Sequence, residues 1–303
     1  MKTYQNRREF FKISATGALG MAVLGSLAFK SEAVNRKSFG VGLQLYTIRD
    51  AMTADAVGTL KKVSDLGYKN LELANYSNGK FYGFAPKEFK KIINDLGMEA
   101  ISSHSAVESA GITIETAKIM ADSHAQLGVK YCIQPWIEPV DRNIEKYKKM
   151  IGDWNKVGKI MKDVGIQFGY HNHNFEFANI NGVVPYFDIF LPEMDKDLIT
   201  MELDLFWASK AGQDPVAMFN KYPGRFQLLH FKDMKTRQAP FFDVIKDDIT
   251  CVGCGIIDFK TILKSKQVAG VKYTFVEDDN QGNGKPFEAL ESSINNLTTK
   301  ILV

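Results

Sequence analysis

Four of the five histidines in this 303-residue chain, His104, His171, His173 and His230, follow apolar runs with the character of β-strands; His124 alone falls inside a helical pattern. The ends of the other runs carry Glu72, Gln134, Asp204, Lys232 and Glu277. A lone histidine of this kind reads as a satisfied core side chain. Four at strand ends, together with Asp204 and Glu277, read as one site. Imidazole and carboxylate together suit a divalent transition ion such as Mn, Co or Zn. His171, Asp204, His230 and Glu277 close four successive strands and form the candidate ligand set. The competing reading is a hydrogen-bonded polar layer without an ion. His171 and His173 share strand parity, so both are expected to point inward. An ion beside a carbonyl suits removal of the neighbouring proton, with Glu277 or His173 as the base. Lys232 is either an oxyanion stabiliser or a surface ion pair with Asp233. Glu72, His104 and Gln134 complete the rim as candidate substrate contacts. Tyr46, Trp136, Phe206 and above all Trp207 are candidates for an apolar wall of the same mouth.

Such residues need a scaffold that brings strand ends together. One phrase recurs along the chain: an amphipathic helix, a Gly, one or two residues, then a β-rich run. It is seen at Gly67, Gly97, Gly128, Gly165 and Gly270, the first three 30 and 31 residues apart. The Gly suits the left-handed position that closes a helix, and the spacing is that of a βα unit. Strands are expected at Val41 to Tyr46, ending near Leu73, His104 and Gln134, then at Ile166 to His171, Ile199 to Asp204, Phe226 to Phe231 and Lys272 to Glu277. Helices are expected at Ala54 to Asp65, Pro86 to Asp95, Ile114 to Gln126, Asn143 to Asp163, Pro215 to Tyr222, Phe259 to Lys264 and Phe287 to Leu302. The long helix shows its apolar side in Ile144, Tyr147, Ile151, Trp154, Val157 and Ile160. Eight strands alternating with helices predict a single-domain α/β (β/α)8 TIM barrel, whose active end is the C-terminal end of the strands. A doubly wound sheet is disfavoured, because Leu43-Gln44-Leu45-Tyr46 stands where a GxGxxG turn belongs.

Residues 1–33 read as a targeting segment. Asn6-Arg7-Arg8-Glu9-Phe10-Phe11-Lys12 precedes a short apolar run from Ile13 to Phe29, with small residues beyond it. The paired arginines resemble a twin-arginine signal. Export to the periplasm is therefore expected, with no stable membrane anchor and the barrel in residues 34–303. The whole chain has 38 basic and 35 acidic residues, and the first 33 hold five and two of them. The remainder is thus balanced, which argues against a nucleic-acid partner. With 45% apolar and 24% charged residues, the composition excludes disordered, collagen-like and multi-span membrane classes. Cys251-Val-Gly-Cys254 is a disulfide, half of a zinc site, or a pair of thiols without a role.

The phrases Gly42-Leu43-Gln44-Leu45-Tyr46-Thr47-Ile48-Arg49-Asp50, Gly169-Tyr170-His171-Asn172-His173-Asn174-Phe175-Glu176-Phe177, Glu202-Leu203-Asp204-Leu205-Phe206-Trp207 and Leu229-His230-Phe231-Lys232-Asp233 carry a resemblance in their order and spacing. The chain resembles the xylose isomerase-like barrel superfamily, in particular its sugar phosphate isomerase/epimerase members. The resemblance implies a metal held by Glu, Asp, His and Glu from strands five to eight. Asp204, His230 and Glu277 keep those types; His171 replaces the first Glu. It also implies two metal-bound carboxylates for epimerisation, so the His-x-His of strand five resembles inosose dehydratases and related lyases more. Glu176 is a candidate replacement carboxylate. The implied activity is that of a sugar isomerase or epimerase, or of a lyase of keto sugars or keto glycosides. A non-catalytic sugar-binding barrel is the remaining class.

Overall fold

The computed structural model describes residues 41–107, 113–236 and 240–303. Eight parallel strands close into a barrel: β1 (Val41–Gln44), β2 (Asn70–Leu73), β3 (Glu99–His104), β4 (Tyr131–Gln134), β5 (Gln167–His171), β6 (Ile199–Asp204), β7 (Phe226–Phe231) and β8 (Tyr273–Val276). Each pairs with its neighbours in sequence, and β1 closes the ring against β8. The TIM-barrel expectation holds. The signal reading lies outside the described residues, and no helix among them is long and apolar enough to cross a membrane.

The recurring glycines do what their spacing implies. Gly128 and Gly270 sit at φ 90° and 85° and close the helices Ile114–Leu127 and Lys266–Ala269. That region is open to glycine and strained for residues with a Cβ. Element ends differ from expectation by small shifts. The expected helix Ala54 to Asp65 starts at Ala56, because Asp55 is extended and its carboxylate takes the Gly58 N–H, and a separate helix Arg49–Ala54 precedes it. The helix Ile144–Asp163 is capped by Asn143 and buries Tyr147, Met150, Ile151, Trp154, Val157 and Met161. Ile144 and Ile160 lie at the edge of that stripe, half-buried. The last helix is Pro286–Asn296, followed by a π turn over Leu297–Ile301.

Two apolar regions support the mouth. The larger lies between the outer strand faces and the helices. The smaller fills the barrel interior with Ile101, Ile133, Leu228 and Phe275. Space for it comes from Gly42 and Gly169: a Cβ on Gly42 would meet Phe275 Cδ1 at 2.5 Å, and one on Gly169 would meet Ile133 Cδ1 at 2.5 Å and Thr200 O at 3.1 Å. Alternation then puts Gln44 above Gly42, His171 above Gly169 and His230 above Leu228. A polar floor follows directly on the apolar plug.

Gly169→Ala should therefore destabilise the barrel by about 1–3 kcal/mol through overpacking. Ile133→Val removes the clashing methyl, so the double variant should be more stable in urea unfolding than the two single losses sum to. Strict additivity would show that the interior does not couple these positions.

Candidate metal centre and substrate cavity

The described structure gathers all four candidate ligands at the C-terminal mouth. Their ligand atoms lie within 4.8 Å of one another. His171 ends β5, Asp204 ends β6, His230 is on β7, and Glu277 follows β8. His230 Nδ1 is 2.9 Å from Glu277 Oε2 and 3.9 Å from Asp204 Oδ2; His171 Nε2 is 3.9 Å from the same Asp204 oxygen. Asp204 is fixed by its neighbour in sequence: Oδ1 accepts the Trp207 N–H at the start of the helix Leu205–Lys210. Its Oδ2 is buried and lies 2.9 Å from Lys232 Nζ, an ion pair without hydrogen-bond geometry.

Lys232 is not a surface residue and does not pair with Asp233. It is fully buried, with Nζ 2.7 Å from Glu277, 2.9 Å from Asp204 and 3.0 Å from Asp279. Asp233 faces away and accepts the N–H groups of Met234, Gly253, Gly255 and Ile257. It thereby anchors the loop in which Cys251 and Cys254 are joined as a disulfide.

Burial and partners set the charges. Burial opposes the charge of Glu277, yet Lys232 and His230 hold its carboxyl well below the usual range. Burial opposes the charge of His230 as well, but Glu202, Glu277 and Glu72 hold it well above ordinary imidazole. Burial, with His230 beside it, pushes His171 down to about 3. Burial raises Asp204 to about 6 against the pull of Lys232. His124, the histidine outside the strand-end set, is a core residue: it bonds Met120 O and Ser105 Oγ, and burial lowers it to about 4.

A cavity of about 580 Å³ opens over this cluster. Of the expected contacts, His104, His171, His173, Glu277, Tyr46 and Trp136 line it. The others serve elsewhere. Gln134 is buried and bonds Val107 N and Trp136 O. Trp207 and Phe206 are buried with Met234 and Ile249. Glu72 lies in the floor, 2.6 Å from His230 Nε2. Glu176 points away from the cavity, accepting the Tyr170 hydroxyl at 2.6 Å and the His173 N–H on both oxygens at 3.0 Å. It braces the turn that carries His173.

Three residues escaped the sequence reading. Glu202 shares parity with Asp204 two positions on, and that alternation was the available signal. Asp279 stands in the same relation to Glu277 and lines the cavity. Lys246 also lines it, from a loop with no periodic pattern to mark it.

Burial raises the Glu176 carboxyl to about 7 against its hydrogen bonds. An acid whose folded pKa is raised takes stability away as pH climbs from its unfolded value, about 4.3, to the folded one. The wild type should therefore lose stability between pH 4.5 and 7 relative to Glu176→Gln, which stays neutral. Parallel curves of melting temperature against pH would contradict the buried carboxylic acid.

The profile of xylose isomerase-like TIM barrels matches residues 60–280. Inosose dehydratase from Lacticaseibacillus casei is 26% identical over 155 residues, 48% of this chain and 51% of that protein. Inosose dehydratase from Clostridium beijerinckii is 24% identical over 225 residues, 69% of this chain and 68% of that protein. The chain thus spans about half the length of the first of these relatives. A sugar phosphate isomerase/epimerase structure from Parabacteroides distasonis superposes with a TM-score of 0.73 at 30% identity, over 89% of this chain and 98% of that one. With the profile extending through most of the eight-stranded barrel and its mouth, the chain belongs to the xylose isomerase-like TIM barrel family.

Proposed function

We propose that the chain is a metal-dependent enzyme that removes the proton next to a carbonyl of a sugar, keto sugar or keto glycoside, as an isomerase or a carbon–oxygen lyase. The observation that carries this reading is the convergence of His171, Asp204, His230 and Glu277 beneath a cavity wide enough for a sugar. Their mixed nitrogen and oxygen donors suit Mn, Co or Zn. Asp204 Oδ2, which the Lys232 ammonium reaches at 2.9 Å without hydrogen-bond geometry, keeps acceptor capacity that an ion could use. Those four residues would hold it, and when bound it supplies positive charge that stabilises density gathering on a carbonyl oxygen.

The remaining work belongs to the chain. Lys232 balances Asp204, Glu277 and Asp279 and keeps them turned inward. Being saturated by them and walled off from the cavity, it acts on the site's charge and not on the substrate. Glu277, ionised and shared between Lys232 and His230, suits a ligand better than a base. His173 lines the cavity, carries a buried Nδ1 without a partner, and is held neutral by burial and by His171. Trp136 steadies its ring edge-on at 4.7 Å between centroids. We assign the proton transfer to His173. Tyr46 and Trp136 offer faces to the apolar side of a sugar.

The names of the relatives, a dehydratase and an isomerase/epimerase, support sugar chemistry in which both outcomes begin with the same proton. His171 in place of a carboxylate speaks against symmetric epimerisation between two carboxylates. Chelator-stripped protein reloaded with Zn, Mn or Co should catalyse deuterium uptake next to the carbonyl of a keto sugar in heavy water. His173→Ala should slow that uptake by about 10²–10⁴-fold with the metal retained, whereas Glu277→Gln should lose metal. Undiminished exchange in His173→Ala removes the base assignment, and absence of both metal and exchange from wild type removes the enzyme reading.

Export by the twin-arginine route is part of the same proposal. Changing Arg7 and Arg8 to Lys should hold the precursor in the cytoplasm, and unaltered delivery to the periplasm would reject it.

A further inference from the structure

Under the ligand set lies a second polar layer that the proposed chemistry does not use. Glu72 and Glu202 are both fully buried there. Glu202 Oε2 meets three imidazoles: His104 Nε2 at 2.7 Å, His171 Nδ1 at 3.2 Å and His230 Nε2 at 3.2 Å. Glu72 Oε2 meets His230 Nε2 at 2.6 Å, Gln44 Nε2 at 2.8 Å and His104 Nε2 at 3.3 Å. Each ligand imidazole therefore has two faces. His171 turns Nδ1 to the floor and Nε2 to Asp204; His230 turns Nε2 to the floor and Nδ1 to Glu277 and Asp204.

The backbone marks the same two residues. The register against β3 shifts between Leu71 and Glu72, and the register against β7 shifts between Met201 and Glu202. Such irregularities give up regular pairing and re-aim side chains, commonly beside functional sites. Among the described barrel pairings these two carry the shifts, and each is followed at once by a floor carboxylate.

His104, His171, Glu202 and His230 are close enough to hold a second ion. The chemistry of the rings argues against it. A neutral imidazole has one lone pair and one N–H. A ring that ligates an ion above through one nitrogen presents the N–H of the other to the floor. To ligate at both levels, His171 and His230 would each have to lose both protons.

We propose that Glu202 and Glu72 are positioning residues: Glu202 takes the His171 Nδ1–H and Glu72 the His230 Nε2–H, which fixes the ring orientations and tautomers that aim His171 Nε2 and His230 Nδ1 at one point. His104 fills the gap between the two carboxylates and accounts for their facing oxygens. This rests on the metal reading above. It adds a division of the polar cluster into a layer that holds the ion and a layer that holds the ligands.

The test compares Glu202→Leu, which removes the acceptor, with Glu202→Gln, which keeps an acceptor oxygen without the charge. Co²⁺ and Zn²⁺ affinities are measured by titration calorimetry on the full chain, with the visible bands of bound Co²⁺ as a second readout. Loss of a partner behind a ligand histidine typically weakens metal binding by about 10–100-fold. Glu202→Leu should lose affinity by that factor and shift the Co²⁺ bands, and Glu202→Gln should stay within a few-fold of wild type. Where Glu202→Leu fails to fold, Glu72→Met against Glu72→Gln provides the same comparison at His230. One ion in wild type, with equal affinity and an unchanged spectrum in the acceptor-less variant, overturns the positioning role and leaves the metal reading intact. Two ions in wild type and one in Glu202→Leu overturn it in favour of a second metal site. No ion in wild type overturns the metal reading itself.

Discussion

The structure turns on neutralising carboxylates that the barrel takes out of water. Glu72, Glu202, Asp204, Glu277 and Asp279 are all buried within one stack at the mouth. A buried charge without a partner costs several kcal/mol, so each must meet a cation or donors in good geometry. Lys232 serves three of them from β7's exit, and His230 touches the floor and the ligand layer at once. The ammonium and the imidazole both come from the segment Leu229–Asp233, which is why β7 is central to the site. The same demand accounts for Gln44, whose amide donates to Glu72 while its oxygen takes the Tyr46 N–H at the end of β1.

A site of this kind tolerates little play, and the loops at the mouth are tied accordingly. The His173 turn is held by Glu176 from below and by Asn174, whose amide donates to Phe241 O and Asp243 O across the mouth. Arg142 lies 3.5 Å from the Phe175 ring centre and 4.5 Å from that of Trp136, two rings that pack against each other. Asp233 collects four backbone donors of the disulfide loop next to Lys232. The catalytic candidates thus stand on rigid supports that are themselves buried polar contacts, a better arrangement for orientation than loop side chains in water.

The barrel was legible in the sequence because helix, Gly and strand recur at a fixed spacing, and each recurring Gly has the positive φ that its place implies. The gathering of His171, Asp204, His230 and Glu277 was legible for a related reason: polar residues directly after apolar runs stand at strand ends, where a barrel brings them together. Direction was not legible. Trp207, Glu176 and Gln134 lie near the mouth in sequence, yet each turns to a buried partner and leaves the cavity wall. Chain position fixes where a Cα lies; the apolar neighbours of Trp207 and the hydrogen-bond partners of Glu176 and Gln134 fix where those side chains go. Glu202 was overlooked although it shares parity with Asp204, and the register shift at Met201/Glu202 that accompanies it leaves no mark in the sequence.

The sequence offered a metal site and a hydrogen-bonded polar layer as rival readings of the same histidines. In the barrel the candidate ligand set and a hydrogen-bonded layer are stacked, and His171 belongs to both. This gives the departure at position 171 a physical reason. A glutamate there, as the wider superfamily resemblance implies, would bring a carboxylate up to Glu202, now 3.2 Å from the His171 ring. Two buried carboxylates at that separation cannot both stay ionised without a further cation. With histidine, the candidate ligand set holds two carboxylates, and Glu202 becomes an acceptor for the ring instead of a like charge beside it. Asp279 in turn answers the Lys232 ammonium that those two carboxylates share. Histidine at 171 and glutamate at 202 are thus coupled in physical terms, because the ring donates where a second carboxylate would repel.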